Sequence, residues 1–134
     1  MDVYITEWGL QSYTDLLGRG VFTVQDYKTQ LRPDIELLKT FPNPRAKFGN
    51  HLFWGNATDK SGNPIRGGFK MKWRNLGSGR VQLRLAVAIV GNQALLCHAW
   101  VKQNPATDQR EIANFKRRMN IILQGRHTIR GGPL

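Results

Sequence analysis

Between Phe69 and Lys102 the chain alternates apolar and polar residues three times over, and this period of two constrains the fold more than any other feature. Phe69, Met71 and Trp73 alternate with Lys70, Lys72 and Arg74. Val81, Leu83, Leu85, Val87 and Ile89 then alternate with Arg80, Gln82, Arg84, Ala86 and Ala88. A third run, Ala94 to Lys102, divides into Leu95, Cys97, Ala99 and Val101 on one side and Ala94, Leu96, His98, Trp100 and Lys102 on the other. Side chains two apart share a face of a strand, so each run is a strand with one apolar and one polar face. The loop Asn75 to Gly79 and the turn Gly91-Asn92 are short enough to join these strands as an antiparallel meander.

The flanks switch to helical spacing. Val3 and Ile5 suggest an edge strand, and Trp8, Leu10, Tyr13, Leu16 and Leu17 a helix ended by Gly18-Arg19-Gly20. Thr23 with Asp26 resembles a capping pair for a second helix, with Tyr27, Leu31, Ile35 and Leu38 on one face and Pro33 positioned to split or kink it. Phe41-Pro42-Asn43-Pro44 stops this run, and a long connection continues to Gly68, carrying the apolar anchors Phe48, Phe53 and Trp54 and a turn at Asp59 to Pro64. After Pro105, Asp108 and Glu111 fit a capping box for a last helix lined by Ile112, Phe115, Met119 and Ile122. The expected architecture is α/β in the α+β sense: a small antiparallel sheet packed against two N-terminal helices and one C-terminal helix. Residues 1–123 form a single domain, and residues 124–134 a basic flexible tail. A chain of 134 residues supports a hydrophobic core unaided. The lone Cys97 permits no internal disulfide and fits a reducing, cytoplasmic setting. The longest apolar run, Leu85 to Val90, is far short of the ~20 residues of a membrane helix. Met1-Asp2 opens no secretory signal pattern.

Charge identifies the partner. Seventeen bases against three acids follow residue 36, whereas the first 36 residues hold six acids and three bases. A field of one sign over most of a small domain attracts polyanions, chiefly nucleic acid. If the apolar faces meet the helices, the open sheet face carries Lys70, Lys72, Arg74, Arg80, Arg84, His98 and Lys102 with no acid among them. Like charges placed opposite one another destabilise a sheet, so such a face is the expected form of a phosphate site. Trp100 on the same face either stacks an unpaired base or packs beneath the C-terminal helix. Arg117, among the bases of that helix, is a further RNA-contact candidate. His98 is the one ring there able to exchange a proton near neutral pH, and its cationic neighbours should lower its pKa. Lys70, Lys72 and Arg84 are placed to hold a phosphate and neutralise transition-state charge. Only Asp59, Asp108 and Glu111 are available for a carboxylate metal cluster, and His51, Cys97, His98 and His127 lack zinc-ligand spacing. No metal and no cofactor is therefore expected. The remaining chemistry is strand scission by the substrate's own 2′-hydroxyl, which restricts the substrate to RNA.

Gly68-Phe69-Lys70-Met71-Lys72-Trp73, Gln82-Leu83-Arg84-Leu85 and His98-Ala99-Trp100-Val101-Lys102, in the order strand, two helices, basic meander, basic amphipathic helix, resemble the RelE/ParE superfamily of bacterial toxins, closest to its HigB-like branch. The likeness covers residues 30–123. It implies a small α/β domain whose basic sheet face cleaves mRNA without metal, usually in the ribosomal A site, and which a cognate antitoxin protein neutralises. By position, Arg84 is similar to the family's phosphate-binding arginine and Lys70 and Lys72 to its strand lysines, while His98 and Lys102 fall on the strand that bears its histidine and further polar catalytic residues. The connection from Pro42 to Gly68 is longer than the family usually has, and Trp100 stands where a smaller aromatic is common. The expected function is thus a metal-independent endoribonuclease toxin. The alternatives are a non-catalytic nucleic-acid binder or a ParE-type gyrase inhibitor, and the full set of Lys70, Lys72, Arg84 and His98 favours the ribonuclease.

Overall fold

The computed structural model describes residues 1–134 and shows an α+β fold in three layers. Strands β1 (Asp2–Thr6), β2 (Trp54–Thr58), β3 (Pro64–Leu76), β4 (Val81–Val90), β5 (Gln93–Val101) and β6 (Ile129–Arg130) form one sheet in the order β2-β3-β4-β5-β1-β6. The meander β3-β4-β5 is antiparallel, as the alternation requires, but β1 runs parallel to β5, so the sheet is mixed. β1 is not an edge strand: β6 pairs on its other side. The expected flexible tail is corrected by the same pairing. Residues beyond Gly125 fold back, the Leu134 amide donates to the Val3 carbonyl at 2.8 Å, and Arg130 pairs with Glu7. The connection before Gly68 holds a short helix α4 (Arg45–Phe48) and β2, which its mixed Gly, Asn and Pro content concealed.

Both faces of the sheet are covered. On one lie α1 (Glu7–Gly18) and a helical run of α2 (Val24–Asp26), a π turn (Tyr27–Leu31), α3 (Arg32–Glu36) and a 3-10 turn (Leu37–Thr40). Thr23 and Asp26 cap this run reciprocally. Pro33 has no N–H to give the preceding turn, and the backbone absorbs the loss as the π turn, in which the Arg32 amide reaches the Tyr27 carbonyl. These elements bury Leu16, Phe22, Leu31, Ile35 and Leu38 on Val3, Met71, Trp73, Leu83, Leu85 and Leu96. Against the other face lies α5 (Pro105–Leu123), burying Ile112, Phe115, Met119 and Ile122 on Ala86, Ala88, Leu95, Cys97 and Trp100. Ala86 and Ala88 leave room for Phe115, and at Gly68 an added Cβ would stand 2.9 Å from its ring.

One irregularity governs the rest. Ala86 pairs with His98 but Val87 pairs with Leu96, so Cys97 is an extra residue, a β-bulge. Strict alternation would place Leu95 and Cys97 opposite His98 and Trp100. Through the bulge, Leu95 and Cys97 and then Trp100 all face α5, with His98 against Phe115 on that side, while Ala99 and Val101 turn to the N-terminal helices. The bulge is fastened by the start of α1. Buried Thr6 donates to the carbonyls of Leu96 (2.9 Å) and Cys97 (3.2 Å) and accepts from the Gly9 amide, and Ser12 Oγ accepts from the Ala99 amide. Gly9 permits the approach, since a Cβ there would lie 2.4 Å from the Leu96 carbonyl oxygen.

Candidate nucleic-acid interface

Strand register sets two rows on the α5 side of the sheet. Lys72, Arg84 and Trp100 are cross-strand neighbours in one, and Lys70, Ala86 and His98 in the next. α5 covers the β5 end of both rows and leaves the β3 end open. Lys70 and Lys72 are half-buried there, and Arg74 and Lys102 are exposed close by. Burial lowers the pKa of both lysines, and mutual repulsion among Lys70, Arg84 and Lys102, with Arg74 acting on Lys72, lowers it further. Lys72 Nζ donates to the His51 carbonyl at 2.9 Å, a fixed position that no sequence signal reveals.

Arg84 is the unusual member. It is only 5% exposed, and its guanidinium makes no ion pair with a carboxylate; Nη1 donates to the Leu83 carbonyl at 3.3 Å. Burial also pushes its pKa down. A cation in such surroundings is stabilised by an anion that can reach it. The carboxylate that acts on it most is Asp108, which also acts on Lys70 and accepts a hydrogen bond from the Trp100 indole at 2.8 Å.

That carboxylate corrects the expectation that no acid shares this face. The α5 cap is Asn104, whose side chain accepts from the Thr107 amide, with Pro105 in the first turn. Asp108 and Glu111 are thereby free of capping duty and face the sheet. Glu111 Oε2 stands 3.3 Å from His98 Nε2, yet neither ring nitrogen of His98 makes an aligned hydrogen bond. His98 is 3% exposed, stacked on Trp100 at 5.0 Å, and its pKa is lowered by burial more than Glu111 raises it. Neither His98 nor Trp100 lies on the open surface: both sit under α5. Uncovering them would expose four apolar side chains of α5 at roughly 6–12 kcal/mol gross, comparable with the whole stability of a small domain.

Of the expected residues, the fold therefore gathers Lys70, Lys72, Arg74, Arg84 and Lys102. Arg80 sits apart on the hairpin turn with a positive φ of 50°, and Arg117 lies on the outer surface of α5 beside Asn114. Nowhere do three or more His, Cys, Asp or Glu side chains converge as a metal site would require. No helix is long and apolar enough to cross a membrane. No protein-family model matches the chain, and no curated protein or solved structure was found to match it.

Proposed function

We propose that this chain binds and cleaves RNA at the open end of the Lys72–Arg84 row, as the toxin of a toxin–antitoxin pair. The observation that carries the reading is Arg84, a nearly buried arginine whose guanidinium has no carboxylate partner and lies among half-buried lysines. A phosphate diester supplies the opposite charge, and the guanidinium fork matches two of its oxygens. Lys72, anchored on the His51 carbonyl, adds charge to the pentacovalent transition state and gives a proton to the departing 5′-oxygen. Lys70, through the neutral fraction that burial and its cationic neighbours enlarge, accepts the proton of the attacking 2′-hydroxyl. The 2′-oxygen bonds to phosphorus as the bond to the 5′-oxygen breaks, leaving a 2′,3′-cyclic phosphate and a 5′-hydroxyl. His98 and Trp100 take no direct part and support the wall behind Arg84. The resemblance to the RelE/ParE superfamily supports the same reading and supplies the antitoxin as partner and translated mRNA as substrate.

The test is cleavage of mRNA, free and on translating ribosomes, by wild type, Arg84→Ala and Lys70→Arg. Arg84→Ala loses binding and cleavage. Lys70→Arg keeps a positive charge at this position but has no neutral fraction to accept a proton at ordinary pH, so binding persists while the rate falls by ~10²–10⁴. Full cleavage by folded Arg84→Ala, or RNA binding with no cleavage by the wild type in either setting, replaces this reading with that of a plain nucleic-acid binder.

A further inference from the structure

A second polar concavity lies on the other side of the α5 N-terminus. It is a cleft of about 480 Å³ between α1 and α5, within the size range of small-ligand sites. His98 and Glu111 are among its lining residues, and Gln11, Gln103, Arg110 and Arg118 supply much of its polar lining. Arg118 is held over the Trp8 ring at 5.2 Å and pairs with no carboxylate; Arg110 approaches Glu111 only to 4.0 Å. The buried ring nitrogens of His98, without aligned partners, lie at this cleft.

The cleft and the cation cluster meet along the chain at the β5–α5 connection. Lys102 belongs to the cluster, and Gln103, the next residue, lines the cleft. Its chemistry differs from that of the cluster: three arginines, of which Arg19 pairs with Asp15 while the planes of Arg110 and Arg118 suit phosphates and bases, the carboxylates of Asp15 and Glu111, and amides that both donate and accept, as base edges require. A purely electrostatic phosphate track would need neither amides nor a recess.

We propose that the α1–α5 cleft holds one nucleotide of the same RNA strand, a phosphate on Arg110 and Arg118 and the base edge on Gln11 and Gln103, with the strand bending around the β5–α5 connection from Arg84. This rests on the RNA-binding reading above. It assigns the cleft the selection of a base beside the scissile bond, whereas the Arg84 row recognises backbone alone.

The experiment uses the full chain, isotopically labelled, with a mixed-sequence 2′-O-methyl RNA of about ten nucleotides, which cannot undergo 2′-hydroxyl attack, and a 2′-O-methyl dinucleotide as the short reference. Amide and indole signals are followed by NMR, and affinities are measured for wild type, Arg84→Gln and the exposed pair Arg110→Ala/Gln103→Ala. The long RNA shifts the Trp8 indole and the Gln11 and Gln103 side-chain amides, and the pair variant weakens it about tenfold, with the dinucleotide affinity as internal reference. Arg84→Gln weakens both ligands. If the long RNA perturbs signals around Arg84 but leaves the cleft unmoved, the inference is overturned and the RNA reading stands. Perturbation of the cleft by polyglutamate and not by RNA overturns it in favour of an acidic protein partner. If no RNA perturbs either region, both readings fall together.

Discussion

Arg84 occupies a position that stability alone would give to an apolar residue. Its cross-strand neighbours are Lys72 and Trp100, it is nearly fully buried, and it has no carboxylate pair. A buried charge without a partner is costly, and exchanging such a group for an apolar one of similar length is often stabilising. Arg84→Met should therefore raise the free energy of unfolding by about 1–3 kcal/mol while removing RNA binding, measured by urea denaturation alongside a binding assay. A destabilised Arg84→Met would show that the guanidinium serves the fold rather than a ligand. Arg84, Lys70 and Lys72 are legible in the sequence because strict alternation assigns them one face. The burial of His98 is not, and for Trp100 the sequence leaves stacking on a base and packing beneath the last helix open, because what covers both is α5, a distant segment whose cap at Asn104 is displaced from the more conspicuous Asp108 and Glu111.

At the scale of elements, the three long strands, the first helix and α5 are readable because each carries a period over several residues, although the bulge at Cys97 interrupts that of β5. The short ones are not: β2 holds five residues amid Gly and Asn, and β6 holds two and exists only because β1 offers it an edge. The contact between α1 and β5 depends on a few bonds at the helix start. Thr6 caps α1 and closes the β5 bulge with one hydroxyl. Thr6→Val keeps the shape and removes these bonds, leaving buried carbonyl and amide groups unpaired. The expected cost is about 1–3 kcal/mol, read as a lower denaturation midpoint with unchanged slope. A change within a few tenths would mean that water or backbone rearrangement replaces the bonds.

For the whole molecule, the same burial that removes His98 from the surface makes stability depend on pH. Its folded pKa lies below the ordinary 6.5, set first by burial and opposed by Glu111. Below that value the unfolded chain takes up a proton that the native state resists, so stability falls as pH drops through it. Glu111, whose pKa is lowered chiefly by His98, adds a further loss as the unfolded carboxylate protonates below its ordinary 4.5. Chemical denaturation at about pH 7.5 and pH 5.5 should show the wild type less stable at the lower pH and His98→Gln with a smaller difference. An equal difference in the two proteins would locate the titration elsewhere.

Beyond the β5 bulge, residue number rather than residue type determines the layers. The Cys97 thiol is buried, with its pKa pushed up to about 12, and nothing in the site depends on it. What Cys97 contributes is one unit of length. Cys97→Ala keeps that unit and should fold. Deleting the residue removes the bulge and leaves Val87 paired with Leu96 and Ala86 with His98, so residues 98–101 keep their faces and the Cys97 carbonyl that accepts from Thr6 is lost. In genetic terms, an in-frame loss of this codon should be tolerated as its substitution is, whereas loss of the Ala99 codon carries Trp100 and Val101 to the opposite faces and should abolish the fold.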